Sequence, residues 1–208
     1  MKYIHLWLRN GGKNDGSPDS GQKDTMDTGH LIWKEQSRKQ VFTCPVFSIH
    51  ETSSLSPEGE RKGFTVLEAA DWAIVIPVVE TEQGKAFVMV RQWRHGSREL
   101  SLEFPGGVVE PGEDPAAAAA RELEEETAYA PGKIRKIGEM RPNPALMSNR
   151  VHFFLAESLE YRKTRHLDED EYIAVEIIPE NEALKDMGSP PYVHALMASA
   201  LGLYLLKR

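Results

Sequence analysis

Three glutamates, Glu122, Glu125 and Glu126, follow a glycine-rich segment, Gly106-Gly107-Val108-Val109-Glu110-Pro111-Gly112-Glu113, across a run of alanines. On a helix of about 100° per residue, Glu125 lies about 60° to one side of Glu122 and Glu126 about 40° to the other, so the three share a face. Glu124 points away. Oxygen-only ligands of this kind suit magnesium or manganese, hard ions that keep waters and bridge to phosphate oxygens. Gly106 and Gly107 let the backbone approach a ligand and place a carbonyl beside the carboxylates, and Gly112 permits the turn into the helix. A Glu-rich run by itself is more often a solvated helix face. The adjoining glycines shift the reading toward an enzyme acting on phosphate.

The helix is well specified. Asp114 stands at the N-cap, Pro115 at the first helical position, and the alanines that follow are strong helix formers. Ala116, Ala119, Ala120, Leu123 and Thr127 form a stripe that packs on a sheet and leaves the acidic face open. Like charges so spaced repel unless a cation sits between them. Arg121 precedes Glu125 by four residues and either orients a carboxylate by a charge-assisted hydrogen bond or makes an ordinary surface ion pair.

These residues carry a family resemblance. The segment resembles the Nudix box, G-x5-E-x7-R-E-U-x-E-E-x-G-U with U a bulky aliphatic, matched in register by Gly107, Glu113, Arg121, Glu122, Leu123, Glu125 and Glu126. Ala128 replaces the last glycine and Tyr129 the final aliphatic; both departures bear on the helix exit more than on the chemistry. The resemblance implies hydrolysis of a nucleoside diphosphate linked to another moiety, with Mg2+ or Mn2+ held by Glu122, Glu125 and Glu126 and the Gly106 carbonyl. Such ions polarise a diphosphate oxygen, lower the pKa of a bound water and stabilise the charge on the leaving phosphate.

Similarity to ADP-ribose pyrophosphatases extends beyond the box. The segments Arg91-Gln92-Trp93-Arg94 and Leu102-Glu103-Phe104-Pro105-Gly106-Gly107 look like that branch's Arg-Gln-aromatic-Arg and Glu-x-Pro-x-Gly patterns, and Pro144 lies where ADP-sugar enzymes carry a proline. An arginine leaving a strand near the metals can clamp a diphosphate bidentately, and Glu103 can accept from a sugar or an adenine amine. An Arg–Glu pair closing the strand ends reads the same residues equally well, and a proline in a loop is ordinarily a turn residue. In the same branch a loop at the place of Asp168-Glu169-Asp170-Glu171 supplies the catalytic or metal-binding glutamate, which makes Glu169 and Glu171 candidates for the general base and Glu125 the alternative. The bland reading of that loop is solvated surface.

The elements around these motifs follow from hydrophobic periodicity. Strands are predicted near Trp33, Val41 to Ile49, Phe64 to Leu67, Trp72 to Val79, Ala86 to Trp93, Leu100 to Phe104, Ile134 to Gly138, Val151 to Ala156 and Tyr172 to Ile178, and helices over Glu180 to Asp186 and Tyr192 to Lys207. The expected fold class is α/β, a Nudix-type α/β/α sandwich with a mixed sheet, plus an N-terminal antiparallel sheet. The expected organisation is an extension over 1–30 rich in Gly, Asp, Ser, Lys and Asn, a β subdomain over 31–70, and a hydrolase domain over 71–208. The β subdomain looks like the sheet through which ADP-ribose pyrophosphatases dimerise, so a homodimer is implied.

The 208 residues suffice for one well-packed domain plus appendages, and the net charge of -7 with no basic stripe excludes a nucleic-acid surface. The anionic substrate must then be drawn in by metal and local arginines. The one cysteine, Cys44, in the apolar run Val41 to Ile49, is expected in the core and suits a reducing cytoplasm. The opening apolar run lacks a cleavage site, and the C-terminal run Tyr192 to Leu206 is too short to span a bilayer and reads as a docked helix, so no membrane association is expected. Three functions remain: an ADP-ribose or ADP-sugar diphosphatase, a hydrolase of the same family for a GDP-sugar, NADH or a dinucleoside polyphosphate, and a silent nucleotide-sensing module. Three mutually repelling carboxylates weigh against the last.

Overall fold

The computed structural model describes residues 27–163 and 172–207. The acidic segment with Glu169 and Glu171, and nearly all of the expected 1–30 extension, lie outside the described residues. Ahead of a short 3-10 turn, Gly29–Leu31, no element is described; after it come β1 (Lys34–Thr43), β2 (Phe47–Leu55) and β3 (Arg61–Ala69). These pair antiparallel in the order β1-β2-β3. The turn into β3 uses Pro57 to Gly59, where Gly59 takes a φ of 87° that suits glycine.

The apolar run Val41 to Ile49, read as one strand, instead crosses a hairpin turn. Cys44-Pro45-Val46 interrupts it, because proline has no amide to give to a ladder. Cys44 is correspondingly not in the core: it sits half-buried in that turn, its thiol donating to the Phe47 carbonyl at 3.4 Å.

The second sheet carries the site. Its path is β10 (Ala174–Pro179), β5 (Gly84–Arg94), β4 (Trp72–Thr81), β9 (Val151–Tyr161) and β8 (Tyr129–Met140), with β6 (Glu99–Glu103) added to β5 and β7 (Gly106–Val108) added to β4. The β4–β9 pair is parallel and the others are antiparallel, so the sheet is mixed. Alternation along β4 sends Ala73 and Val75 to one face and Ile74, Ile76 and Val78 to the other. The first face packs on helix α1 (Pro115–Thr127) through Ala118, Ala119 and Leu123. The second packs on α3 (Ala195–Lys207) through Met197, Ala200, Leu201 and Tyr204, and on α2 (Glu180–Asp186) through Ala183. The α/β/α sandwich expected from the sequence is thus present, with the antiparallel sheet ahead of it.

Some boundaries differ from the sequence-based expectation. Gly106–Val108, expected as a turn, is a short strand, since Gly106 and Gly107 pair with Ile74 and Ala73. β8 begins directly after α1, because Ala128 takes a left-handed conformation, φ 62°, that ends the helix within one residue. α3 starts at Ala195 rather than Tyr192, whose ring is buried in the preceding turn. Its buried residues recur at helical spacing, so the C-terminal segment is a docked helix. Among the described residues no helix is long and apolar enough to cross a membrane.

Candidate active site

The box helix is placed by its cap and its apolar stripe. Asp114 accepts the Ala117 amide at 3.3 Å with Pro115 at the first turn, and Ala118, Ala119, Leu123 and Thr127 are buried against the sheet. The stripe is rotated slightly from the sequence expectation: Ala118 joins the core and Ala120 stays half-buried. That rotation decides the fate of the three glutamates. Glu126 is 3 % exposed, so the acidic face is not open along its whole width. Its Oε2 accepts the Gly106 amide at 3.0 Å, which ties the helix to β7.

Both glycines of the motif are demanded by close approach. A Cβ on Gly106 would lie 2.3 Å from the Ala73 carbonyl oxygen, and one on Gly107 would lie 2.4 Å from the Glu122 carboxylate. The first conflict is with backbone of the neighbouring strand; the second is with the site itself.

Arg121 supplies the cation that the clustered carboxylates require. Its guanidinium donates to Glu113 at 3.1 and 3.2 Å, to Glu122 at 2.9 Å, to Glu125 at 2.9 Å and to the Val108 carbonyl at 3.2 Å. The hydrogen bonds to Glu113 lead the causes that raise the Arg121 pKa still further above its ordinary range. In return Arg121, helped by the Glu110 amide, holds the Glu113 carboxyl below its usual value. Glu113 is therefore the partner that anchors the guanidinium from the loop side. Its place in the box could be read from the sequence, but its pairing with Arg121 across the turn could not.

The flanking arginines are both engaged. Arg94 donates through Nε to Glu103 at 2.8 Å, with a second, shorter bond from its other nitrogen, and Glu103 is 1 % exposed. Burial pushes the Glu103 carboxyl up, yet the hydrogen bond and charge of Arg94, the nearby His194 and Ser101 outweigh it and hold the carboxyl below its usual value. Arg94 also feels the charge of Glu126, which links this pair to the box helix. Arg91 forks onto Glu176 of β10, one arm at 3.0 Å, and so lowers the Glu176 pKa. Glu176 is not legible as a partner in the sequence, since it reaches Arg91 diagonally across the β10–β5 ladder, where the direct partner of Arg91 is Ala174. The ion-pair reading of Arg94 and Glu103 thus describes the resting arrangement. Pro144 lies exposed in the loop before β9, which reaches β3 through the Leu146 carbonyl and the Leu67 amide at 2.9 Å.

Among the described residues no three acidic or histidine side chains converge closely enough to hold an ion unaided. The donor set nonetheless fits a hard divalent cation: Glu122, Glu125 and Glu126 offer only oxygens, and the Gly106 backbone touches one of them. One nitrogen of Arg121 bridges Glu122 Oε1 and Glu125 Oε2 and so holds these two carboxylates side by side.

Comparison with known proteins agrees with this geometry. A family profile described as NUDIX domain matches residues 71–197. A Bacillus subtilis (strain 168) protein named ADP-ribose pyrophosphatase is 33% identical over 175 residues, 84% of this chain and 93% of that one. A Mus musculus protein named ADP-sugar pyrophosphatase is 33% identical over 108 residues, 48% of each chain. Among solved structures, one described as an ADP compounds hydrolase superposes with a TM-score of 0.72 at 20% identity, covering 83% of this chain and 93% of that chain, and supports the fold alone. With the box matched in register, its helix and glycine strand assembled around Arg121, and the profile spanning the whole second sheet, the chain belongs to the Nudix hydrolase family.

Proposed function

We propose that this Nudix hydrolase cleaves the diphosphate bond of ADP-ribose or a related ADP-sugar, releasing AMP and a sugar phosphate. The observation that carries the reading is the Arg121 hub, which gathers Glu113, Glu122 and Glu125 beside Gly107 at the end of β4. The similarity to an ADP-ribose pyrophosphatase along most of the chain supports the choice of nucleotide.

Glu122, Glu125 and Glu126, with the Gly106 carbonyl, would hold Mg2+ or Mn2+. A divalent ion so bound lowers the pKa of a water and neutralises charge on the diphosphate. Arg121 orients Glu122 and Glu125 through charge-assisted hydrogen bonds to both carboxylates. Arg91 and Arg94 present guanidinium forks near the same end of the sheet and bind phosphate oxygens when they exchange carboxylate partners for substrate. Glu103, released from Arg94 in that exchange, accepts from the sugar or the adenine amine. Pro144 shapes the loop that selects the ADP moiety. Glu125 acts as general base, or Glu169 or Glu171 does from the acidic segment.

The exposed apolar residues of the N-terminal sheet, among them Trp33, Phe42 and Phe64, support a homodimer formed through β1 to β3. A cytoplasmic location is supported by the single cysteine.

The test is a Mg2+-dependent panel of ADP-ribose, ADP-glucose, GDP-mannose, NADH, diadenosine polyphosphates and nucleoside triphosphates, with products identified by mass. AMP plus ribose 5-phosphate as the dominant products supports the reading. Preference for a guanine or dinucleotide substrate keeps the hydrolase and discards the substrate.

A further inference from the structure

Behind the box, at the same end of the second sheet, Asp71, His152, Glu139 and Arg150 close a ring that the hydrolytic site does not use, Arg150 joining it through both its backbone amide and its guanidinium. Asp71, just ahead of β4, accepts the Arg150 amide through Oδ1 at 2.7 Å and meets His152 Nε2 through Oδ2 at 3.2 Å. The other imidazole nitrogen, Nδ1, stands 3.2 Å from Glu139 Oε2. Glu139 closes the circuit, its Oε1 accepting from the Arg150 guanidinium at 2.9 Å. His152 is 6 % exposed, and Asp71 on β4's side with Lys136 and Glu139 on β8 are the charged groups against its ring.

The ring sits where two loops meet. The Asp71 carbonyl accepts the Val109 amide at 2.9 Å, and Arg121 holds the preceding Val108 carbonyl, so Asp71 braces the box loop from the side opposite Arg121. Arg150 ends the segment that carries Pro144, and the Trp72 amide donates to its carbonyl at 2.9 Å. Asn149 adds a bond from Nδ2 to the Ala70 carbonyl at 3.0 Å.

We propose that Asp71 and His152 are positioning residues for substrate binding: with Glu139 they fix the base of the 141–150 loop against the box loop. The proposal rests on that loop facing the substrate, as in the function proposed above. Lys136 reinforces the clasp: its ammonium donates to Glu139 Oε2 at 2.7 Å and stands 3.1 Å from His152 Nδ1, so His152 and Glu139 are joined through it as well.

The experiment pairs kinetics with amide hydrogen exchange on the full chain, using Asp71→Asn and His152→Gln. The preferred substrate of the panel is the probe for KM. Each variant is expected to raise KM roughly ten-fold, the scale of one charge-assisted hydrogen bond, with kcat held within about two-fold. Exchange of the Arg150 and Val109 amides, read without substrate, should speed in Asp71→Asn. Failure of ADP-ribose as a substrate removes the substrate reading only, because the exchange readout and the panel's preferred compound still decide the ring. Unchanged KM in both variants, or a fall in kcat and melting temperature with KM unmoved, overturns the proposal.

Discussion

Glu126 is the residue whose burial most changes the view of the site. It accepts the Gly106 amide while belonging to the set that would hold the metal, so Glu126→Gln keeps a carbonyl acceptor for that amide and removes the charge. Turnover should fall by at least about a hundred-fold with the melting temperature little changed, since only the charge-dependent step is lost; full activity in steady-state assays would remove Glu126 from the metal set. The two glycines should separate in the same way. Gly106→Ala meets backbone of β4 and should destabilise by about 2 kcal/mol in urea unfolding, as forced overpacking does. Gly107→Ala meets the Glu122 carboxylate, a side chain that can move, so the fold should persist while activity drops.

Glu103 makes a third prediction at this scale. Its folded-state pKa is lowered, so the unfolded chain takes up the proton first on acidification. The stability from the Arg94–Glu103 pair is therefore complete above the ordinary value of 4.5 and is lost as pH falls through the lower folded value. The gap in melting temperature between wild type and Glu103→Gln should be largest near neutrality and should narrow below about pH 4. A gap independent of pH would mean the pair adds no charge-linked stability.

Among the elements, α1 depends on an unusual exit. Ala128 holds a left-handed conformation where the family pattern has glycine, and it is fully buried. The left-handed penalty of about 1–2 kcal/mol for a residue with a Cβ is offset in Ala128→Gly by loss of a buried methyl, about 0.8 kcal/mol. That variant should unfold within about 1 kcal/mol of wild type. Ala128→Val adds β-branching at positive φ in a packed site and should cost at least about 2 kcal/mol, measurable by denaturant midpoint. The chain accepts the departure because β8 starts at the next residue and the Ala128 carbonyl takes the Arg162 amide at 2.8 Å.

For the whole molecule, the N-terminal sheet poses the question of assembly. β1 is exposed along all ten residues, and Phe42 and Phe64 are 50% and 45% exposed. A three-stranded sheet with such a surface gains by covering it. Sedimentation should find a dimer, and Phe42→Asp or Phe64→Asp should shift the protein toward monomer; a wild-type monomer at micromolar concentration would discard the dimer.

The sequence by itself determined the elements that repeat a local pattern. Asp114-Pro115 with the alanines defined α1, continuous apolar runs defined β4, β5 and β9, and the spacing of Glu122, Glu125 and Glu126 defined a shared face, because cap, propensity and local hydrophobicity act over a few residues. Local pattern failed where a short apolar run had two uses: Val41 to Ile49 concealed a hairpin turn, and Gly106–Val108 concealed a strand. Tertiary structure alone decided which partner each charge meets. The pairing of β10 with β5 brought Glu176 diagonally within reach of Arg91, the β8–β9 register set His152 opposite Glu139 with Asp71 on its other side, and the docking of α1 on the sheet buried Glu126 and brought Arg121 to Glu113. Such contacts join residues far apart in the chain, and side-chain ion pairs depend on distances of a few ångströms that no short-range pattern encodes.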